Sequence, residues 1–196
     1  MKTQFLKTYF LVLVILMTGC KNNPDIIPEA SDLKLRAGLE KRIAQDNEFA
    51  FDLLRKTIAE VKDTNVFMSP LSVSMALGMT MNGAVGTTRT EMENALKLSG
   101  ISVEDINEYY KAMQTQLPVM DPLTKLSLAN SIWYRTGFAV KKTFLETNKN
   151  YFDAEIRELD FAQSLAKDNI NNWCARKTNN LIKDILDYIP KDAVMY

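Results

Sequence analysis

From Asn65 to Thr88 the chain carries no charged residue. Within this stretch the run Leu71–Met81 has helix-forming character, and apart from Ser72, Ser74, Thr80 and a few small residues it is apolar on every side. Such a helix has no wet face and is predicted to be enclosed by the rest of the fold. Its start is well marked: Ser69 is a good N-cap, and Pro70 fits the first turn, where no amide partner is needed. Small residues at Ser72, Ser74, Ala76 and Gly78 let other backbones approach closely. The sequence Asn82-Gly83-Ala84-Val85-Gly86 ends it in a turn.

The flanking segments supply the cover. Leu39, Ile43, Ala50, Leu53, Leu54, Ile58 and Val61 recur at helical spacing, with Lys41, Asp46, Arg55, Lys56 and Glu60 between them as a polar face. Val66-Phe67-Met68 reads as a short strand. Thr87–Leu98 is an amphipathic helix with Met92, Ala95 and Leu96 on its apolar side, and Asp105–Leu117 is another, closed by Pro118. The pattern then changes. Thr124–Tyr134 alternates and is rich in strand formers, Val140–Tyr151 is helical, and Ala154–Phe161 alternates again. Ala166–Leu186 is expected to be a long helix whose buried stripe holds Ile170, Trp173, Cys174, Leu181, Ile185 and Leu186, weakened in the middle by Asn179-Asn180. A strand-like run begins at Ala193-Val194-Met195-Tyr196. Helices first, then strands alternating with helices, predict a mixed α+β class.

The first 38 residues have a different character. Lys2 and Lys7 precede nine unbroken apolar residues, Tyr9–Met17. As a helix these rise only about 13 Å, under half a hydrocarbon core, which fits a signal peptide and not a stable span. Met17-Thr18-Gly19-Cys20 resembles a bacterial lipoprotein cleavage box, which implies cleavage between Gly19 and Cys20 and a lipid on Cys20. Residues 1–19 are read as the signal peptide and 20–38 as the lipidated cysteine and a flexible tether, Pro-containing and poor in large apolar groups. The expected location is the cell envelope or extracellular face, anchored to a bacterial membrane through Cys20.

Several chemistries are excluded. The chain has no histidine, which removes His-based triads and His metal sites. Lys+Arg and Asp+Glu both number 24, so no basic excess points to nucleic acid. Loss of residues 1–19 leaves 22 basic against 24 acidic residues, still near neutral. Asn82–Thr87 lacks the lysine of a phosphate loop and follows a helix. Ser69 and Ser72 have neither a histidine nor a lysine at Ser-Lys spacing, so they are not nucleophiles. Glu155, Glu158 and Asp160 sit in amphipathic patterns and read as a solvated face, and Cys174 beside Trp173 reads as a small core hydrophobe. No cofactor or metal is expected.

Against this background several segments are recognisable together. Asn65-Val66-Phe67-Met68-Ser69-Pro70-Leu71-Ser72-Val73-Ser74-Met75-Ala76-Leu77 resembles the second-helix signature of serpins. Asn82-Gly83-Ala84, Gly86-Thr87-Thr88, Glu91-Met92 and Leu128-Ala129-Asn130-Ser131-Ile132-Trp133 continue it. Phe152-Asp153-Ala154-Glu155 with Asp160-Phe161 is similar to the family's next strand, and Ile170–Cys174 with Lys177–Lys183 to its helix over the main sheet. Asn180 departs from the pattern, standing where the family usually has glycine.

The resemblance implies an α+β serpin fold, N-terminal part only. Residues 39–196 would be a partial serpin domain that stops within the third strand of the main sheet, with the reactive-centre loop and reactive bond outside this chain. It further implies a protease inhibitor and not an enzyme. A serine or cysteine protease cleaves the loop, the loop inserts into the main sheet, and the acyl-enzyme is trapped. The fragment itself would then be inactive. Ser69 and Ser72 match the family's shutter, the polar cluster where sheet strands part. The Asp105–Leu117 helix, with Asp105 and Glu108 against Lys111, lacks a basic stripe for glycosaminoglycan. Two other readings are carried forward: a non-inhibitory serpin acting as a binding or carrier module, and a lipid-anchored solute-binding protein with a polar ligand cleft.

Overall fold

The computed structural model describes residues 29–61 and 64–196. Among the described residues four helices come first: α1 (Glu40–Glu60), α2 (Pro70–Met81), α3 (Gly86–Ala95) and α4 (Val103–Gln116), the last running into a 3-10 turn at Leu117–Val119. Strand β1 (Ser131–Arg135), helix α5 (Lys142–Phe152), strand β2 (Glu155–Leu159) and helix α6 (Ala166–Lys177) follow. β1 and β2 are parallel, with Ser131 opposite Glu155 and Arg135 opposite Leu159, so α5 is the crossover between them. On the other edge of β1, Trp133 and Tyr196 exchange both backbone hydrogen bonds (2.7 and 2.8 Å) and Arg135 N donates to Val194 O at 2.9 Å. Tyr134 and Met195 form an antiparallel bridge, so a third row begins at Ala193–Tyr196 with β1 in the centre.

The sheet separates two apolar cores. Ile132, Phe152 and Ala154 face the helices and join Met75, Met79, Leu96, Leu98, Ile106 and Tyr110 in the larger one. Alternation along the strand turns Trp133 to the opposite face, where it meets Phe161, Ile170, Trp173 and Cys174 under α6.

Five expectations are corrected. Val66-Phe67-Met68 forms no strand with any of the described residues, and the Phe67 side chain is fully exposed. Only Ser131–Tyr134 of the Thr124–Tyr134 run is laddered, and the strand goes one residue further to Arg135, because β2 reaches no further back along it. Helix α6 ends at Lys177, not Leu186: Asn179 and Asn180 take left-handed φ values of 51° and 63°, which a right-handed helix cannot continue through. Leu181 and Ile185 are consequently exposed. Asn180 adopts the conformation for which glycine is usual.

The buried face of α1 is only partly the expected one: Leu39 is buried and Leu53 packs on the larger core as expected, while Arg42 and Phe49 take the place of other stripe residues. Leu39, Arg42 and Phe49 point inward, while Ile43, Ile58 and Val61 are exposed. Finally, the tether expectation fails from Ser31 onward. Ser31 N donates to Met120 O (2.7 Å), Lys34 and Gln116 exchange hydrogen bonds at 2.8 and 2.7 Å, and Arg36 pairs with Asp105. Leu33 and Leu35 pack against the larger core, so residues 31–36 are fastened along α4.

Candidate functional site

The uncharged helix α2 is held by its inner face. Ser74, Met75, Gly78, Met79 and Met81 are buried, whereas Ser72, Ala76 and Thr80 form an open stripe one turn apart. The expected all-round enclosure is therefore met on one side only. Ser69 caps the helix, its Oγ accepting from Ser72 N (3.3 Å) and from the Ser72 hydroxyl (2.9 Å). The two residues are thus joined, and both are exposed at the head of α2. Ser69→Ala is expected to lower stability by about 1 kcal/mol through loss of the cap. Urea unfolding measures this, and an unchanged midpoint would show the cap to be idle.

Polar groups inside the helical core come from asparagines to which the sequence reading assigned no role. Asn82 Nδ2 donates to Asn107 Oδ1 (3.1 Å) and Asn148 Oδ1 (3.0 Å), and Asn148 Nδ2 reaches Met79 O at 3.3 Å. This set ties the C-terminal end of α2 to α4 and α5, each asparagine satisfying another where water cannot enter. One signal was available: Asn148 lies three residues from Leu145 and four from Phe152, on the apolar stripe of α5.

A second buried set joins α1 to α3 and α4. Arg42, 2% exposed, donates to Leu96 O (3.0 Å) and Lys97 O (3.4 Å) at the end of α3. Its guanidinium also bonds Asp46, which accepts from the Tyr109 hydroxyl, and it lies 5.5 Å from the centre of the Tyr109 ring. Asp46, expected on a polar outer face, is largely enclosed. Burial pushes its carboxyl above the usual carboxylate range against the opposing pull of Arg42. Burial and the neighbouring Asp46 carboxylate raise the Tyr109 phenol.

On the outer side of the sheet, α6 lies over β1 and β2. Trp173 meets Trp133 edge-on, 6.5 Å between ring centres, and its indole Nε1 donates to Glu155 Oε2 at 2.8 Å. Arg157 Nε (2.7 Å) and Lys177 Nζ (3.7 Å) also face the Glu155 carboxylate. The indole bond first, and Arg157 next, hold that carboxyl below its ordinary value. Glu155 is therefore not the freely solvated acid expected from its pattern. Cys174 is a buried free thiol in the same cluster, and desolvation raises it. Gly19 and Cys20 lie outside the described residues.

A cavity of about 740 Å³ between α2, α3, β1 and α5 is lined by Met79, Met92, Ile132, Phe138 and Phe144, with Lys141 the one charged side chain that the described residues bring to it. It lacks the converging polar groups expected of a solute-binding cleft.

Comparison with known proteins agrees with this architecture. The family model described as Serpin (serine protease inhibitor) matches residues 44–196. Human neuroserpin is 32% identical over 158 residues, covering 80% of this chain and 38% of its own length. An uncharacterized serpin-like protein of Methanosarcina acetivorans is 30% identical, covering 96% of this chain and 47% of its own. The crystal structure of the thermophilic serpin tengpin in its native state superposes with a TM-score of 0.74 at 36% identity, over 86% of this chain and 43% of tengpin. The chain thus spans less than half the length of the relatives it matches. A charge-free helix packed beneath a sheet, a parallel crossover through α5, a third antiparallel row and a covering helix all lie inside the matched region, and the chain belongs to the serpin family.

Proposed function

We propose that the whole protein is a protease inhibitor that works by suicide cleavage. A serine or cysteine protease attacks a reactive-centre loop outside these 196 residues, and the cleaved loop inserts as a new strand in the sheet to which β1 and β2 belong. The observation that carries this reading is the layout of that sheet: β1 is flanked by β2 and by Ala193–Tyr196 and is covered by α6. In this reading Ser69 and Ser72 form the shutter. Hydroxyls bonded to each other can exchange partners when strands separate. The protein is not an enzyme in its own right. A lipid on Cys20 would hold it at the cell envelope of a bacterium, where it would meet proteases from outside.

The test mixes the full-length protein with trypsin-like, elastase-like and papain-like proteases. A covalent complex that survives denaturing electrophoresis is the expected result with one of them. The 196-residue chain alone is expected to give none, since it has no bait. Cleavage of the full-length protein without any complex would overturn the inhibitor reading in favour of a carrier module. Mass spectrometry of the membrane fraction checks the anchor: the mature N-terminal peptide should begin at an acylated Cys20.

A further inference from the structure

The strap along α4 fixes where the N-terminal part joins the folded body. Ser31, its first fastened residue, donates to Met120 O from both its amide (2.7 Å) and its hydroxyl (3.3 Å). Lys34 and Gln116 exchange two bonds further along, and Arg36 pairs with Asp105. Only the ten residues 21–30 lie between Cys20 and this point. Whatever shape they take, they span no more than about 33–36 Å. A chain free as far as Gly38 would span about 59–65 Å. A whole protein of about 400 residues, the size of the relatives, is about 55 Å across. The longer span would let any face turn toward an anchoring surface, and the shorter one does not.

The surface next to Met120 is apolar. Val119 is 73% exposed and Leu123 71%, Pro122 is open between them, and Leu126 is 39% exposed. Single exposed apolar residues are ordinary, but these four share one turn. The turn is also stiff. The Asp121 carboxylate accepts from Leu123 N (2.9 Å) and the Thr124 hydroxyl (2.5 Å), and Thr124 N donates to Asp121 O (3.2 Å). Presenting Leu123 therefore costs little ordering, and the Asp121 charge is satisfied within the turn. Asp121 and Lys125 in the turn, with Asp32 and Lys34 on the strap, cancel in charge, so they do not select a charged partner.

We propose that the turn from Val119 to Leu126 is a membrane-contact surface: its apolar side chains rest in the bilayer that holds Cys20, and the strap, by shortening the tether, keeps this end of the body turned toward the lipid. The occupant follows from covalent geometry. An anchor this near raises the local concentration of lipid at the patch, and of no other partner. A few shallow side chains do not hold a free protein on a membrane, but they settle the orientation of one already held there. The proposal rests on the lipid-anchor reading above.

Leu123→Trp places a reporter in the turn, read as the emission of the variant minus that of its parent. The mature full-length protein is bound to vesicles of neutral phosphatidylcholine, with and without bromine on the acyl chains, which quenches only an indole that enters lipid. The reporter is expected to emit as a water-exposed indole in the free protein. On vesicles it should shift to the blue and lose most of its emission to brominated lipid, equally at low and high salt. Lys142→Trp should keep its emission, since α5 starts beyond the Arg135 end of β1 whereas the turn precedes the Ser131 end. Adding Val119→Asp to Leu123→Trp should restore emission while the protein stays on the vesicles. Adding Arg36→Ala and Gln116→Ala, which unfastens the strap, should weaken quenching at position 123, and unchanged quenching would overturn the role of the strap. Equal quenching at 123 and 142, none at 123, or a reporter already shielded in the free protein would overturn the surface; the last would mean that another part of the protein or a second copy covers it. The same measurements are repeated with Cys20 coupled to a maleimide phospholipid, for which the buried Cys174 does not compete. Quenching at 123 in the coupled protein, with no acyl group on the native one, would sink the anchor reading and leave the surface standing.

Discussion

Arg42→Ala is expected to lower the stability of the full-length protein by about 3–5 kcal/mol, the range for removing one partner of a buried ion pair. The loss has three sources. The carbonyls of Leu96 and Lys97 at the end of α3 lose their donor, Asp46 is left as a buried charge beside Tyr109, and a cavity opens among α1, α3 and α4. The Asp46 contribution has a definite pH signature. Its carboxyl is already raised in the folded protein, so the native state holds that proton more tightly than the unfolded chain does. A raised carboxyl favours the native state at low pH, and the benefit disappears as pH rises through the folded value. Without Arg42 the rise is larger. The deficit of the variant relative to its parent should therefore be smaller at pH 4.5 than at pH 7. Taking the difference at each pH cancels the opposite contribution of carboxyls such as Glu155 that are held low. Urea titrations of both proteins at the two values provide the check. An equal deficit would mean that Asp46 is not the charge left behind. Replacing the pair together, Arg42→Met with Asp46→Leu, should recover much of the loss, because no uncompensated charge remains.

Gly78→Ala is expected to destabilise by about 1–3 kcal/mol, and Gly78→Val by more. Helix propensity alone predicts the reverse, since alanine in a helix interior is favoured over glycine by about 0.5–1 kcal/mol. Packing decides the sign. A Cβ at position 78 would lie 2.7 Å from Cε2 of Tyr110 and 3.2 Å from Cε1 of Phe152. Tyr110 is fully buried, edge-on to Tyr109 and 5.1 Å from the Phe152 ring, so the nearest atom belongs to a rigid ring with nowhere to turn. Thermal unfolding of the alanine variant tests the argument, and a raised melting temperature would show that the ring can shift.

Much of the architecture was legible because its signals are local. The uncharged run 65–88 marked the helix that others must cover, Ser69-Pro70 marked its start, and alternation around Ile132 and Ile156 marked the two strands. What was missed depends on partners distant in sequence. Asp46 sits where a polar face was expected and Arg42 was given no role, and only the approach of Leu96, 54 positions from Arg42, makes that side of the helix internal. The extent of β1 could not be read from alternation, since a strand is as long as its neighbour permits. Asn179-Asn180 was seen as a weak point, yet whether a pair of asparagines bends or ends a helix is decided by backbone dihedrals that composition does not set. For the site, Ser69 and Ser72 were singled out by resemblance and the bond between them was not foreseen, whereas Glu155 was taken for a solvated acid because nothing in its surroundings announces the indole of Trp173.

Because β1 shares one edge with β2 and the other with Ala193–Tyr196, about sixty residues must leave the ribosome before that second edge is closed, which at ordinary synthesis rates takes about 3–12 s. Through that interval a nascent strand with Ile132 and Trp133 at its centre stands open to any passing chain. The order of the sheet therefore makes the newborn polypeptide a natural client for a holdase, and slowing translation after Leu159 should increase insoluble product more than the same pause placed before Ser131.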